Sequence, residues 1–256
     1  MKYDLVVMAG GKLDPGEWGD GCPSTKALLK IGEKTLLETT LEAFQSVTSI
    51  DSRVVVGDDP EIGVIAHRFG ARSIPTGDGL VGNIKNALVE LKHSLSEYMI
   101  LATSDIPLFN SDSAERLLAQ FDRCAGQFDF VYPVVPVEKC YSVAPGMHRT
   151  SIKTRDGRFT GGNVFMLNKV RIKENIPFLE SLMRLRKSPI RLAGVIGIDT
   201  LFSLITGLGT LDSFARKFER RITGKVLAMV CESPEVAIDI DSREDFAKMT
   251  SCDGAS

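Results

Sequence analysis

The sequence predicts an α/β fold with three layers, in which helices cover both faces of a mostly parallel, twisted sheet. Apolar segments of strand length alternate with amphipathic segments of helical spacing through residue 135. Such alternation requires crossover connections, which are typical of parallel sheets buried on both faces. With 256 residues and 43% hydrophobic content, the chain is long enough to enclose a sizeable core.

The spacing of apolar residues predicts each element of the first half. Strands are predicted over residues 3–8, 53–57, 71–74, 99–103 and 128–135. Helices are predicted between them, over residues 35–47, 60–70, 84–91 and 111–122. Two boundaries have a local cause, because Pro60 suits the first turn of a helix and Gly70 suits its end.

Beyond residue 135 the regular alternation is lost. We expect an irregular insertion over residues 137–150, a hairpin over 152–160 that turns at Asp156-Gly157, and a strand over 164–167. A helical insertion is predicted over residues 174–223, followed by strands over 226–230 and 236–240 and a last helix over 243–249. Because neither a linker nor an internal repeat interrupts the sequence, we predict a single domain over residues 1–250.

Composition and charge argue against several kinds of protein. The net charge is −2, so no overall positive field favours nucleic acid or an anionic membrane. No apolar stretch reaches the roughly 18 residues that a membrane-spanning helix needs, and the N-terminus has the pattern of a strand rather than of a signal peptide. The five cysteines are too scattered for a zinc site or a redox pair, so reduced thiols and a cytoplasmic location are expected.

The first candidate site follows the first strand. Ala9-Gly10-Gly11 ends that strand, and a polar loop leads from it to Lys26. Glycines allow main-chain N–H groups to come close to a phosphate, and a lysine adds a mobile positive charge. Since ligands of parallel sheets bind at the carboxyl ends of the strands, we interpret this segment as a phosphate-binding turn.

Asp105 follows the strand over residues 99–103, which places its carboxylate at the same edge of the sheet. Magnesium prefers one or two carboxylates and shares its remaining ligand positions with water and phosphate. Asp105 could instead cap the next helix or shape the turn before Pro107. Asn110 or Ser111 stands closer to that helix and is the better cap, so a metal-binding role for Asp105 is favoured.

Two further aspartates, Asp239 and Asp241, come at the end of the predicted strand over residues 236–240. Alternate side chains of a strand share one face, so both carboxylates would lie together. An acidic side chain inside an apolar strand is costly unless it is paired, and a cation shared with Asp105 would be such a partner. Asp241 could alternatively help to cap the last helix, where Ser242 and Asp245 suit a variant of the capping box.

Three later segments carry weaker signals. Gly162-Asn163 precedes a strand, and Gly79 and Asn83 lie near the start of the third predicted helix. Each of these segments could approach a ligand closely, or could be an ordinary turn or helix cap. A basic cluster surrounds the predicted hairpin, and we interpret most of it as a solvated face: Arg149, Lys153, Arg155 and Arg158.

Together these residues resemble the nucleotidyltransferase superfamily with a glycosyltransferase-A-type fold, and most closely its MobA-like branch. The resemblance runs from Ala9-Gly10-Gly11 through Lys26, Asp105 and Gly162-Asn163 to Asp239-Ile240-Asp241. It depends on the order and spacing of these motifs, since each motif alone is weak. It implies a Rossmann-like sheet of the nucleotide-diphospho-sugar transferase type, with a nucleotide-binding half over residues 1–135 and an acceptor-binding half over residues 136–250.

The resemblance also implies a reaction and a role for each residue. An NMP would pass from an NTP to a small phosphorylated acceptor, such as molybdopterin or a sugar 1-phosphate, with release of pyrophosphate. Asp105, Asp239 and Asp241 would hold Mg²⁺, and Lys26 and Asp105 would be the catalytic residues. The nucleotide would contact Ala9, Gly10, Gly11, Lys12, Lys26, Gly79 and Asn83, and the acceptor would contact Gly162 and Asn163.

The sequence departs from the family pattern in two places. The family loop usually carries an arginine between the glycines and the lysine, whereas residues 12–25 contain only Lys12 as a basic residue. Three acidic residues in the same loop would repel a triphosphate unless a cation offsets them. The helical insertion over 174–223 is larger than compact members need. Its apolar face at residues 201–205 could belong to the core or to the interface of a homo-oligomer.

Two other functions stay open. A glycosyltransferase could use the same fold with a nucleotide sugar, although Ser104-Asp105-Ile106 lacks the paired acids of the usual Asp-x-Asp motif. A non-catalytic nucleotide-binding protein would account for the missing arginine. Pyrophosphate release from one NTP distinguishes the first hypothesis from both.

Overall fold

A computed structural model describes residues 1–147, 149–185 and 206–252 of the chain. Its strands are β1 (Tyr3–Met8), β2 (Lys30–Ile31), β3 (Lys34–Thr35), β4 (Ile50–Val56), β5 (Arg72–Ile74), β6 (Tyr98–Thr103), β7 (Phe130–Pro136), β8 (Ile152–Thr154), β9 (Gly157–Gly161), β10 (Val164–Asn168) and β11 (Val226–Val230). Within the described residues, β2 and β3 form a small pair and the other nine strands form one sheet. The five strands predicted for the first half are confirmed, although β4 begins earlier than expected, at Ile50.

Helices cover both faces of this sheet. They are α1 (Pro15–Trp18), α2 (Leu36–Ala43), α3 (Pro60–Arg68), α4 (Gly79–Glu90), α5 (Ser111–Cys124), α6 (Val137–Val143), α7 (Lys169–Glu174), α8 (Ile176–Leu185), α9 (Leu211–Glu219) and α10 (Arg243–Cys252), with 3₁₀ turns at Lys26–Leu28 and Pro234–Ala237. The helices predicted for the first half are confirmed as α2 to α5, and the side chain of Asn110 caps α5 as expected. None of the described helices has the length and apolar character needed to cross a membrane.

The structure describes the predicted helical insertion only in part. Helices α8 and α9 belong to it, which agrees with the helical prediction, and both are amphipathic. Residues 186–205, including the apolar face predicted at 201–205, lie outside the described residues.

The sheet is parallel on one side and mixed on the other. Strands β5, β4, β1 and β6 are neighbours in that order, and these three pairings are parallel. β10 then runs antiparallel to both β6 and β7, and β11 pairs with β7 in parallel. The predicted α/β fold is confirmed, and the reversal at β10 adds a feature that the alternation of the first half could not reveal.

Each face of the sheet forms its own apolar core. Alternate residues of a strand point to opposite faces, so Leu5 and Val7 pack in the cluster beneath α2, α3 and α5, whereas Val6 packs beneath α4. All three side chains are fully buried. The central strands are therefore fixed from both sides, and the loops at their ends start from defined positions.

A buried ion pair lies at the amino ends of β1 and β6, which belong to one edge of the sheet. Asp4 of β1 is fully buried, and its Oδ2 atom lies 2.7 Å from Nζ of Lys169. Its Oδ1 atom accepts a hydrogen bond from the hydroxyl of Ser94 at 2.7 Å. Both carboxylate oxygens thus have a partner, as is usual for buried polar groups.

The second half follows the predictions except in two places. The hairpin of β8 and β9, the strands β10 and β11 and the last helix α10 are confirmed. Residues 137–150 are not irregular throughout, because they begin with α6, whose Val137 and Cys140 side chains are buried. Seven residues give barely two helical turns, which is too short a segment for helical spacing to stand out in the sequence.

Residues 236–240 do not form the predicted strand. Pro234 begins a 3₁₀ turn, and the chain then crosses the edge of the sheet. Separate main-chain hydrogen bonds attach it, from the Asn163 N–H to the Val236 carbonyl at 2.9 Å and from the Ile240 N–H to the Asp105 carbonyl at 3.0 Å. The segment is nevertheless buried like a strand, which is why its apolar pattern was misleading.

Candidate active site

The carboxyl ends of three neighbouring strands meet at one edge of the sheet. In the pairing register, Met8 at the end of β1 lies beside Val56 of β4 and Thr103 of β6. The segments that follow emerge together, and the Ser104 N–H donates to the Met8 carbonyl at 3.2 Å. The glycine turn and Asp105 are adjacent for this reason.

Residues 9–11, the predicted glycine turn, directly follow β1, and Gly10 has no room there for a side chain. The Ala9 N–H donates to the Val56 carbonyl at 2.9 Å, which keeps the turn close to β4. A Cβ atom on Gly10 would lie 2.6 Å from Cγ2 of Thr76, well inside contact distance. A larger residue at position 10 would therefore have to move the turn or the Thr76 side chain.

The loop between Gly11 and Lys26 closes at a narrow neck. The Lys26 N–H donates to the Gly11 carbonyl at 2.8 Å, and the Thr25 hydroxyl lies 2.8 Å and 2.9 Å from the carbonyl oxygens of Ala9 and Gly11. Lys12 and Thr25 form an antiparallel bridge at the same place. This neck returns Lys26 to the glycine turn independently of the residues within the loop.

Beyond the neck, the loop packs against the last helix. It contains the short helix α1, which ends at Trp18. The Trp18 ring lies 6.2 Å from the ring of Phe246 in α10, and Ile240 is buried in the same apolar cluster. The loop is thereby held beside the segment that carries Asp239 and Asp241.

The three predicted metal ligands come together at this edge. One carboxylate oxygen from each of Asp105, Asp239 and Asp241 can be chosen so that all lie within 4.8 Å of one another. We expected this arrangement from a strand over residues 236–240. In the described structure these residues do not form a strand and cross the sheet edge instead. The hydrogen bond from the Ile240 N–H to the Asp105 carbonyl holds the two neighbouring aspartates beside Asp105.

Lys26 lies against this cluster. Its Nζ atom is 3.1 Å from Oδ2 of Asp105 and 3.5 Å from Oδ1 of Asp241. Burial alone would lower the pKa of Lys26, but the charges of Asp105, Asp241 and Asp239 together outweigh it, so the pKa is raised. The ammonium group therefore stays charged at neutral pH and can pair with phosphate oxygens.

Arg149 is a residue of the site that the sequence did not single out. Its guanidinium group pairs with the Asp239 carboxylate, and its Nη1 atom donates to the Asp239 carbonyl at 2.8 Å. The predicted solvated face is confirmed for Lys153, Arg155 and Arg158, whereas Arg149 is buried. The one available signal was Asp239 itself, since an acid in an apolar segment requires a positive partner.

The surroundings of Asp239 disfavour its charged form. Burial raises the pKa of Asp239 to about 6, and the charges of Asp241 and Asp105 act in the same direction, while Arg149 opposes them. Burial of this carboxyl group, together with the nearby charges of Asp241 and Asp105, thus outweighs the attraction of Arg149.

The cluster fits a divalent cation. The Oδ1 atom of Asp105 is buried and has no hydrogen-bond partner among the described residues. Among the described residues, the three carboxylates of the cluster face two positive side chains, Lys26 and Arg149. Carboxylate oxygens are the ligands that Mg²⁺ prefers, and a cation here would satisfy the partnerless oxygen and relieve the repulsion.

Gly162 and Asn163 lie on a cavity of about 410 Å³ that Arg149 and Asp239 also line. A Cβ atom on Gly162 would lie 3.1 Å from Cγ1 of Val236, and Nδ2 of Asn163 donates to the Val236 carbonyl at 3.4 Å. Close packing therefore explains why a glycine and an asparagine occupy positions 162 and 163. Their role in acceptor binding stays a prediction.

The remaining predicted nucleotide contacts lie in two places. Lys12 shares a cavity of about 220 Å³ with the glycine turn, whereas Gly79 lines a different cavity of about 480 Å³. Gly79 begins α4 with a φ of 63°, and Oδ1 of Asn83 accepts a hydrogen bond from the Gly77 N–H at 2.8 Å. Gly79 and Asn83 thus have structural roles at a helix start, and their contact with a nucleotide stays a prediction.

Comparison with known proteins agrees with this architecture. The family model for the MobA-like NTP transferase domain matches residues 5–161. The chain is similar to a hypothetical transferase from Thermus thermophilus, with 29% identity and a TM-score of 0.80 over 96% of this chain and 99% of that one. Two structures share the fold at 12% identity over 99% of both chains: CMP:2-keto-3-deoxy-manno-octonic acid synthetase complexed with CTP, with a TM-score of 0.61, and 4-diphosphocytidyl-2C-methyl-D-erythritol synthase from Anaerococcus prevotii DSM 20548, with a TM-score of 0.56.

Proposed function

Because this chain belongs to the family of MobA-like NTP transferase domains, we propose that it joins an NMP from an NTP to a small phosphorylated acceptor and releases pyrophosphate. Membership makes it a nucleotidyltransferase, and the proposal adds the acceptor class and a requirement for Mg²⁺. The observation that carries the proposal is the cluster of Asp105, Asp239 and Asp241 beside Lys26, at the sheet edge where the glycine turn also lies.

In the proposed reaction, an oxygen of the acceptor phosphate attacks the α-phosphorus of the NTP. A new P–O bond forms as the bond from the α-phosphorus to the bridging oxygen breaks, and pyrophosphate leaves with the electron pair. The protein has to hold both partners in line and to offset the charge of the phosphates, so no covalent intermediate on the protein is needed.

Lys26 is the residue that we place on the phosphates of the NTP. Its ammonium group touches two acids, and it can exchange one of them for a phosphate oxygen. N–H groups of the Gly10-Gly11 turn would contact the same phosphates, because no side chain shields them. Since residues 12–25 contain no arginine, Lys12 is the further positive side chain that the loop offers to the donor.

We assign Asp105, Asp239 and Asp241 to the Mg²⁺ ion. When bound, the ion would offset phosphate charge and help to align the reacting groups. The partnerless Oδ1 atom of Asp105 and the buried carboxyl group of Asp239, whose pKa is raised chiefly by that burial, both support this assignment, since a cation would pair with each of them.

The acceptor would lie in the cavity beside Asp239. Arg149 provides a buried positive group there, and Gly162 and Asn163 line the same cavity. We therefore propose that these residues contact the acceptor phosphate. The phosphate group is common to molybdopterin, sugar 1-phosphates and alcohol phosphates, so this contact does not choose between them.

The first test is a thermal-shift panel of the four NTPs, each with and without Mg²⁺. CTP is tried first because one protein of similar fold was solved with CTP bound. One NTP should raise the melting temperature when Mg²⁺ is present, since a ligand of the folded state stabilises it by mass action. Asp105→Asn should lose this shift, and Asp51→Asn, an exposed acid near the start of β4, should keep it.

The NTP that shifts the melting temperature should also release pyrophosphate when a phosphorylated acceptor is added. The absence of a shift with every NTP would contradict the proposal. A shift without pyrophosphate release across the acceptors would favour a non-catalytic nucleotide-binding protein. Sugar transfer from a nucleotide sugar, without pyrophosphate, would favour a glycosyltransferase.

A further inference from the structure

An apolar cavity of about 400 Å³ lies between the sheet and the helices that follow β10. Its walls come from β7, β10 and β11 on one side and from α7, α8 and α9 on the other. Aromatic side chains form much of these walls, namely Phe130, Phe165, Phe178, Phe214 and Phe218. A cavity of this volume is large enough for a small organic group.

Asn175 brings an amide group to this cavity, but the amide is already engaged. Its Nδ2 atom donates to the carbonyl oxygens of Arg171 at 2.8 Å and Thr223 at 2.7 Å. Its Oδ1 atom accepts from the Thr223 N–H at 2.9 Å. A polar ligand would therefore lose hydrogen bonds to water without replacement from this residue, whereas an apolar ligand would lose none.

The apolar cavity adjoins the polar cavity at the metal cluster. Four residues line both, namely Tyr132, Val134, Ile152 and Phe165. A Cβ atom on Gly161 would lie 1.9 Å from the Tyr132 hydroxyl, so the hydroxyl lies against a residue of the polar cavity. The Tyr132 ring packs 5.3 Å from the Phe165 ring, on the wall that the two cavities share.

We propose that the acceptor is a phosphate monoester of an apolar alcohol, of the alkyl or prenyl kind. This inference rests on the proposed function and names the substrate class of the same site. The phosphate would lie beside Arg149 and the aspartate cluster, where one of its oxygens attacks the α-phosphorus of the NTP and displaces pyrophosphate. The carbon chain would extend past Tyr132 and Phe165 into the apolar cavity, and the product would be a nucleoside diphosphate ester of the alcohol.

The lining of the cavity favours this acceptor over a sugar phosphate. Sugar hydroxyls that enter an apolar space lose their hydrogen bonds to water. Each methylene that leaves water for such a space instead raises affinity by about fourfold. Affinity should therefore increase with chain length until the cavity is filled.

The test uses n-alkyl phosphates from ethyl to octyl phosphate, below their micelle-forming concentrations, with the donor NTP and Mg²⁺. We expect kcat/KM for pyrophosphate release to rise by about fourfold per methylene and then to level off. Glucose 1-phosphate should react with a lower kcat/KM than octyl phosphate. Calorimetry of octyl phosphate binding without nucleotide supplies a readout that does not depend on turnover.

Ala228→Phe places a large side chain on the wall of the apolar cavity, from a half-buried position in β11. It should move the plateau to shorter chains and weaken octyl phosphate binding by about tenfold, the equivalent of one or two methylenes. Val230→Phe is the matched control, because Val230 lies on the same strand but does not line this cavity. The NTP-induced rise in melting temperature, measured for each variant, reports whether the donor site is intact.

An equal kcat/KM across the alkyl series would overturn the proposal, and so would an unchanged chain-length profile in Ala228→Phe. Failure of octyl phosphate to bind would also overturn it. In these cases an intact NTP shift leaves the nucleotidyltransferase reaction standing. If no NTP raised the melting temperature of the wild-type protein, that result would count against the proposed function itself.

Discussion

The two edges of the sheet each hold an aspartate–lysine pair, but the pairs differ in how completely they are satisfied. At the edge where β1 begins, the two carboxylate oxygens of Asp4 are occupied by Lys169 and Ser94. At the edge where β6 ends, Lys26 occupies one oxygen of Asp105, and the other oxygen is buried with no hydrogen-bond partner among the described residues.

Burial of an acid does not by itself mark a functional site. A pair in which every polar atom is satisfied stabilises one structure and leaves nothing for a ligand. A cluster in which acids outnumber bases keeps a negative charge that a cation can offset. The unsatisfied edge is also the edge at which parallel strands present their carboxyl ends, where ligands of such sheets bind.

Breaking the satisfied pair should have the largest effect, and that effect should be on stability. Asp4→Asn leaves the largely buried Lys169 ammonium group without its counter-charge, which should cost about 3–5 kcal/mol in the free energy of unfolding. Activity per folded molecule should stay near the wild-type value. Urea unfolding and pyrophosphate release measured on the same samples check both expectations.

A double variant, Asp4→Leu with Lys169→Met, serves as the control for this pair. It removes both charges together, so it should recover most of the lost stability. A large loss of activity in folded Asp4→Asn would contradict a purely structural role for this edge.

The same substitution at the other edge should act in the opposite way. Asp105→Asn keeps the shape of the side chain but removes a proposed metal ligand, which should lower kcat by about 100- to 1,000-fold. The free energy of unfolding should change by less than about 1 kcal/mol, because the lost contact with Lys26 is offset by weaker repulsion within the cluster. Steady-state kinetics at saturating Mg²⁺ and urea unfolding provide the two values, and near wild-type kcat would remove Asp105 from the metal site.

The raised pKa of Asp239 should make the candidate site sensitive to pH. A carboxyl group with a pKa of about 6 in the folded state and about 3.9 in the unfolded state binds its proton more tightly when folded. Its contribution to stability is therefore complete below about pH 4 and is lost as the pH rises through about 6. Without Mg²⁺, the wild-type protein should lose more stability over this interval than Asp239→Asn.

Added Mg²⁺ should reverse this loss, because the ion favours the charged carboxylate. Melting temperatures at about pH 5 and pH 7.5, with and without Mg²⁺, test the point, and the Mg²⁺-induced increase should be larger at the higher pH. An increase of the same size at both pH values, or in Asp239→Asn, would mean that Asp239 does not bind the ion.

The smallest effect is expected for a helix cap that lies next to the cluster. As predicted, Ser242 and Asp245 form a capping box at α10, with the Asp245 N–H 3.1 Å from Oγ of Ser242 and the Ser242 N–H 2.9 Å from Oδ2 of Asp245. Ser242→Ala should cost about 1 kcal/mol of stability and change kcat by less than about twofold. Thermal unfolding and kinetics measure both, and a larger fall in kcat would show that this cap also positions Asp241.

Much of the fold and the location of the candidate site could be predicted from local patterns. Apolar spacing defines β1 and β6, and the residues directly after their last apolar positions are those at the unsatisfied edge. Asp105 and the glycine turn could be placed near each other for that reason, without knowledge of any contact between them.

Contacts between distant parts of the chain could not be predicted in this way. Arg149 and Asp239 are 90 residues apart, and neither local spacing nor propensity indicates that one is buried against the other. Residues 236–240 show a related limit. An apolar pattern indicates that a segment is buried, but the segment is a strand only if a neighbouring strand pairs with it through continuous hydrogen bonds. That segment is buried at the sheet edge but is attached there by separate bonds to neighbouring loops.

Trp18 is the single tryptophan of the chain, and it lies in the loop between the glycine turn and Lys26, against Phe246 of the last helix. Its fluorescence therefore comes from one place, between the proposed phosphate-binding turn and the helix that follows Asp241. A shift of the emission to longer wavelengths on addition of NTP and Mg²⁺ would mean that the ring moves into water as the ligand enters. Constant emission would mean that the ligand enters beneath a loop already in position, so the chain contains an optical probe of this loop without any added label.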